Sequence, residues 1–247
     1  MRYKILISPA KNLRKHVFND HDRLSVPKFL AEAKLVHRSL AKLTHGELVD
    51  LMSVSAKLAS ESKQMIKLWD HNFLYRAVEM FDGEVYRGLA IDTLSDAYNE
   101  VLSDRLRILS GLYGILHPND LVAPYRLEMK TKLPVKKAEN LYQFWGDKVA
   151  KQLRKDTDYL VNLASDEYSK VVLPFWDKDK VITPVFMEEN EGNPKVVMMY
   201  AKNARGKMAR FLIEHRIENL SDMHGFDMDG YRFDKERSQE NRWVFLR

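Results

Sequence analysis

The order of apolar and polar positions divides the chain into a helix-rich first half and a strand-rich second half. Tyr3–Ile7 is a short apolar run rich in β-branched residues, and it predicts a buried strand that Pro9 ends. Ser25-Val26-Pro27 predicts a helix start, and Phe29, Leu30, Ala33, Val36, Leu40 and Leu43 supply its apolar stripe. Thr44-His45-Gly46-Glu47 has the spacing of a capping box, with Leu48, Leu51 and Met52 following at helical intervals. Ala56–Trp69 predicts a third helix, so residues 25–70 read as a helical layer. Phe81–Leu89 reads as a turn with a short extended piece, Leu94–Leu109 as a helix and Glu139–Lys155 as another. Tyr159–Ala164, Val181–Met187 and Lys195–Tyr200 read as strands, Asn203–Ile217 as an amphipathic helix, and Tyr231–Asp234 with Trp243–Leu246 as a closing hairpin. Without linkers, repeats or clean βαβ alternation, the pattern predicts one domain over residues 1–247. Its class is α+β (mixed α/β), with a central mixed sheet flanked by helices.

Composition narrows the chemistry. The 247 residues include no cysteine, which removes disulfides, thiolate catalysis and cysteine-held metal centres. No run of about 18 apolar residues occurs, and the N-terminal apolar run is shorter than a signal-peptide core. The expectation is a cytoplasmic protein with no membrane association. The net charge of +5 is mild, but the bases come in blocks. Residues 125–155 hold nine Lys/Arg against three Asp/Glu, whereas residues 156–193 hold three against nine. Such polarity suits a phosphate-bearing partner, although a solvated surface explains it as well.

Three predicted strands run straight into polar signatures: Ser8-Pro9-Ala10-Lys11, Ser165-Asp166-Glu167-Tyr168 and Ala201-Lys202-Asn203-Ala204-Arg205-Gly206-Lys207. Parallel strands would bring these loops to one edge of the sheet, where ligands collect in α/β proteins. Ser8, Lys11, Asn162, Ser165, Glu167, Tyr168, Lys202 and Arg205 would then line one cleft, with Arg126 and Glu128 nearby. The ordinary alternatives are that Ser165-Asp166 only caps a helix, that Arg205 and Arg210 form the wet side of one, and that Arg126 and Glu128 are a structural pair. Tyr142 and Trp145 share a helix face, as core or as a stacking wall. His16 and His21, near Asp20 and Asp22, show no recognised ligand spacing, so neither metal nor cofactor is predicted. No protein partner is predicted either.

Leu106–Met129 reads LRILSGLYGILHPNDLVAPYRLEM, with two glycines three apart. A predicted helix ending at Ser110, the turn Gly111-Leu112-Tyr113-Gly114 and a second helix after Ile115 would make a helix-hairpin-helix. Its glycines would let backbone N–H groups approach DNA phosphates without reading sequence. A glycine turn that merely ends a helix fits the same residues.

ILISPAK at 5–11, LSGLYGILHPNDLVAPYRLEM at 109–129, LYQFWGD at 141–147, VNLASDEY at 161–168 and YAKNARGKMARFLIE at 200–214 occur in order along nearly the whole chain. Together they resemble the YaaA-type peroxide stress resistance proteins of bacteria. The resemblance implies a cytoplasmic protein, in a fold of its own, that helps cells survive hydrogen peroxide. It also implies low free intracellular iron, less oxidative DNA damage, and DNA binding through a helix-hairpin-helix and a basic cleft. On this chain the hairpin falls on Gly111–Gly114, and we assign the cleft to Lys11, Arg126, Lys202, Arg205, Lys207 and Arg210. The partner would be double-stranded or branched DNA, bound without sequence preference. The competing expectation is an enzyme acting on a phosphorylated small molecule or nucleic acid among the clustered Ser, Lys, Asn, Glu, Tyr and Arg residues. No catalytic set carries over from the resemblance.

Overall fold

A computed structural model describes residues 2–14, 24–71 and 74–247. The His16, Asp20, His21 and Asp22 group lies outside the described residues. Seven strands, β1 (Tyr3–Ile7), β2 (Leu106–Ser110), β3 (Gly114–Leu116), β4 (Tyr159–Asn162), β5 (Val181–Met187), β6 (Arg232–Gln239) and β7 (Arg242–Leu246), form one sheet in the order β6-β7-β5-β4-β1-β2-β3. β1 pairs in parallel with β2 and β4, β4 with β5, and β5 with β7. Antiparallel hairpins close both edges, β2 with β3 and β6 with β7. The sheet is therefore mixed, and helices flank it as the α+β class requires.

β1 is buried along its whole length, as expected for a parallel strand covered on both faces. Its one charged residue, Lys4, satisfies its ammonium on the carbonyl of Asp104 at 2.6 Å and on its Oδ1 at 2.8 Å. The helical layer forms much as the stripe demands, with α1 (Leu30–Ala41), α2 (His45–Met52) and α3 (Ala56–Leu68). The Thr44 capping box is complete: Thr44 Oγ1 accepts from the Glu47 N–H, and the Glu47 side chain accepts from the Thr44 N–H at 2.7 Å. Helix α1 starts three residues after Pro27, because Ser25 bridges to Asp120 instead of entering the first turn.

Four expectations give way to tertiary structure. The helix over Leu94–Leu109 is confined to α5 (Asn99–Arg105), where Leu106 turns into β2 between β1 and β3. Leu106, Ile108 and Leu109 are fully buried, so the sheet overrides the helical reading of an apolar run that fits both periods. Phe81–Leu89 contains a helix as well as an extended piece, α4 (Glu84–Leu89). The Glu139–Lys155 helix divides into α6 (Leu141–Trp145) and α7 (Lys148–Leu153) at Gly146, whose φ of 48° breaks the spiral. Lys195–Tyr200 is not a strand: both edges of β5 are already taken by β4 and β7, and Met198 opens the long helix α8 (Met198–Glu214).

Helix α8 packs against β5, β1 and, most closely, α4. Gly88 of α4 and Gly206 of α8 face each other's backbone there. A Cβ on Gly206 would sit 1.9 Å from the Val85 carbonyl oxygen, and one on Gly88 would sit 2.1 Å from that of Asn203.

Candidate functional site at the carboxyl edge of the sheet

The parallel strands deliver two of the three polar signatures to the same edge. Ser8 leaves β1 and Ser165 follows β4, and the Ser165 N–H donates to Ser8 Oγ at 2.9 Å. The two hydroxyls are 3.3 Å apart. Ser165 does stand at the start of the short helix Asp166–Ser169, but its side chain makes no capping bond and turns to Ser8 instead. From α4, Tyr86 donates its hydroxyl to the Ser8 carbonyl at 3.1 Å.

Lys11 and Glu167, three and two residues beyond these serines, enter a ladder of alternating charge. Lys11 Nζ meets Glu128 Oε1 at 2.6 Å, Lys130 Nζ meets Glu128 Oε2 at 3.2 Å, and Lys130 Nζ lies 3.6 Å from Glu167 Oε2. The Lys130 N–H also donates to Glu167 Oε1 at 3.3 Å, and Tyr142 donates to the Glu167 carbonyl at 2.7 Å. Tyr142 thus joins the site rather than only the core. Burial pushes the Glu128 carboxyl upward, but hydrogen bonds and charge from Lys11 and Lys130 outweigh it, and the net shift is downward. The Glu128 contacts hold Lys130 above its ordinary range. Behind the ladder, burial and then the neighbouring Tyr125, Glu167 and Glu128 raise the phenol of Tyr168, to which Met129 supplies a backbone hydrogen bond. Tyr125 is buried too, its hydroxyl 2.6 Å from that of Ser110. These phenols stay protonated at neutral pH and can donate hydrogen bonds.

The glycine turn has a different purpose from the one expected. Gly111-Leu112-Tyr113-Gly114 connects β2 to β3, with Ser110 opposite Gly114, so the element is a β-hairpin and not a helix-hairpin-helix. All four residues are buried. Their backbone therefore cannot meet DNA phosphates. Gly111 lets the 127–128 segment pass over it, since a Cβ would come within 2.7 Å of the Leu127 carbonyl oxygen. Gly114, at φ 71°, lies under the Trp145 ring. The close approach allowed by the two glycines is thus an internal one, and it positions Glu128.

The third signature lies inside α8 rather than in a strand-end loop. Lys202 is exposed there. Burial lowers the pKa of the Arg205 guanidinium, and the charge of Asp166 opposes the shift. Lys207 pairs with Asp229. Arg210 is committed to structure: its Nη1 donates to the Ala90 carbonyl and Thr93 Oγ1, both at 2.8 Å, and its Nε to Glu214 at 3.0 Å. Asn162 is buried and serves its own turn, accepting from the Ala164 N–H at 3.2 Å. These bonds leave Arg210 and Asn162 little to offer a ligand.

Lys130 was not among the residues singled out from the sequence, yet it links the two glutamates. Its signal is the alternation from Tyr125 to Val135, where Tyr125, Leu127, Met129, Thr131, Leu133 and Val135 are buried and the residues between them face outward. Arg126, Lys130, Lys132 and Lys136 fall on that outward side, with Glu128 the acid among them. Arg126 and Lys132 make no ion pair among the described residues. No group of three or more His, Asp or Glu among the described residues is placed to hold a metal ion. No helix there is long and apolar enough to cross a membrane.

Comparison with known proteins gives the chain as a whole a family context. The chain is similar to a UPF0246 protein of Azoarcus sp. (strain BH72), 40% identical over 98% of both chains. It is 41% identical to a UPF0246 protein of Flavobacterium johnsoniae, over 99% of this chain and 100% of the relative. A relative from Clostridium perfringens (strain 13 / Type A) is 40% identical over 98% of both. The family model described as peroxide stress protein YaaA matches residues 3–237, and the chain belongs to that family.

Proposed function

We propose that this peroxide stress protein acts by binding DNA across the carboxyl edge of the sheet, using the outward bases of the 126–136 segment together with Lys11, Lys202 and Arg205. The observation that supports this reading most is the alternation itself. It presents Arg126, Lys130, Lys132 and Lys136 on the solvent side of a segment whose other side is anchored in the core. Bases fixed in this way contact phosphates and need no base-specific partner, which suits sequence-independent binding to duplex or branched DNA. In the cell such binding would take place in the cytoplasm and shield DNA from iron-driven radicals, with less free iron during peroxide exposure as the accompanying effect.

The test is fluorescence anisotropy of a labelled duplex and a labelled four-way junction at two salt concentrations. Substituting Arg126, Lys132 and Lys136 together by Ala should weaken binding and reduce the salt slope by about one for each phosphate that is no longer neutralised. An unchanged affinity and slope in the triple variant would refute this assignment.

A second reading has its own support. The Ser8–Ser165 hydroxyl pair sits beside two lysines, two glutamates and protonated phenols in an arrangement more elaborate than phosphate contact requires. It suits an enzyme handling a phosphorylated small molecule or a nucleic acid. Loss of a cellular protective effect in Ser8→Ala with DNA affinity intact would favour that reading.

A further inference from the structure

A separate cavity of about 290 Å³ opens toward the amino-terminal ends of the same strands. Arg107, the second residue of β2, reaches it, as does Asp156, which precedes β4. Val26, Ile115, Leu116 and Leu153 supply apolar walls, and exposed Lys28 stands on the rim.

The polar groups differ in how far they are already engaged. Asp120 accepts from Ser25 Oγ at 2.7 Å and from the His117 N–H at 2.8 Å. His117 accepts from the Asn119 N–H at Nδ1, 3.2 Å away, and is hydrogen-bonded to the Ser103 backbone. Burial, then the charge of Arg107, lowers its pKa to about 4, so the imidazole is neutral. Arg107 is only half engaged. Its Nη1 donates to the carbonyls of Ser103 and Leu106 at 2.9 and 2.7 Å, which fixes the guanidinium plane. Its Nε and Nη2 carry no hydrogen bond among the described residues, and no carboxylate there pairs with it. Asp156, Asp104 and Asp120 attract the guanidinium only from beyond ion-pair distance, so its desolvation is partly offset, and its free edge is the side-on fork that matches two carboxylate oxygens.

We propose that this cavity binds a small monocarboxylate with an apolar body. The carboxylate is held by Nε and Nη2 of Arg107, and the body lies against Val26 and Ile115. The volume is at the small end of ligand pockets, which typically begin at about 300 Å³, and it accommodates a single ring or a short branched chain. Asp120 and Asp156 flank the guanidinium, so a monoanion is preferred to a phosphate dianion, which would meet both acids with an extra charge. The site is at the other end of the strands from the serine pair and does not depend on how the carboxyl edge is used.

Isothermal titration of the full chain with benzoate, benzamide and inorganic phosphate tests the proposal. Benzoate should bind at least tenfold more tightly than neutral benzamide and than phosphate. Arg107→Met should abolish the difference between benzoate and benzamide. Because Arg107 also holds two carbonyls, Lys28→Glu provides a second variant at an exposed position, and it should weaken benzoate several-fold while leaving benzamide unchanged. Absence of benzoate binding, parity with benzamide, tighter binding of phosphate, or benzoate binding indifferent to both variants would overturn the assignment.

Discussion

Replacing Gly206 by Ala sets helix propensity against packing. Within an isolated helix the change is favourable by about 1 kcal/mol, because alanine restricts the unfolded chain and glycine does not. Here the new methyl would lie 1.9 Å from the Val85 carbonyl oxygen, with the Leu89 nitrogen at 2.7 Å and the Val85 carbonyl carbon at 2.8 Å. Ordinary contact begins near 3.4 Å, so the deficit is about 1.5 Å, and every obstructing atom is backbone that no rotamer change can move. The helices must separate, which lifts α8 from α4 and loosens its packing on β5. Overpacking costs about 1–3 kcal/mol, and a deficit this large against backbone places it at the upper end, so after the propensity gain the net loss is about 2 kcal/mol. At about 2–4 °C per kcal/mol for a chain of this size, the thermal midpoint should fall by roughly 4–8 °C. Thermal and urea unfolding followed by circular dichroism measure it. Gly46→Ala in α2 is the matched control, since a Cβ there meets nothing within 4 Å, and it should stabilise by about 0.5–1 kcal/mol. A Gly206→Ala protein as stable as the parent would refute the close crossing of α4 and α8.

Other substitutions test the remaining elements. Tyr113→Phe deprives the buried Ala123 N–H of its acceptor at 3.2 Å and should cost about 1–3 kcal/mol in urea unfolding without changing DNA affinity; a loss of affinity at full stability would restore the turn as a contact surface. Glu128 has its pKa lowered by folding, so it contributes stability above its unfolded value near 4.3 and loses that contribution as pH falls through the lower folded value. Unfolding midpoints of the parent and Glu128→Gln should therefore differ at pH 7 and converge in acid, and a gap independent of pH would contradict the Lys11–Glu128–Lys130 geometry. For His117 the unfolded state binds the extra proton, so stability should decline as pH drops from about 6.5 towards 4, and His117→Asn should remove that component. An identical pH profile in the variant would count against the neutral, fully engaged imidazole.

What could be read from the sequence was local and strongly patterned. Tyr3–Ile7 and Val181–Met187 become β1 and β5 with the bounds the apolar runs give, and the Thr44–Glu47 capping box forms as its spacing requires. The closing hairpin also forms at β6 and β7. The parallel strand arrangement, which the apolar runs alone do not fix, brings Ser8 and Ser165 within hydrogen-bonding distance. Two of the misread segments are short apolar runs that fit either a strand or a helix alone and are decided by sheet vacancies. Leu106–Ser110 is taken up beside β1, whereas Lys195–Tyr200 finds both sides of β5 occupied. Arg210 and Lys207 look like free bases in a sequence because carbonyls and acids far along the chain, such as those of Ala90 and Asp229, carry no local signature. Lys130 is the converse case: its place in the ladder depends on Glu167, distant in sequence, folding back onto its amide.

The order of strands has a kinetic consequence. β1 is the earliest strand of the sheet in sequence but lies inside it, with Ile5 opposite Leu106 on one side and Val161 on the other. Pairing so distant in sequence must bear the entropy of closing long loops before any ladder bond repays it. During synthesis, β1 emerges well before either neighbour and has no sheet to join, while the 30–68 helices can form from local contacts. The apolar face of β1 is consequently a surface that nascent chains must shield, and refolding should be slow and sensitive to protein concentration, limited by the arrival of β2 and β4 at that central strand.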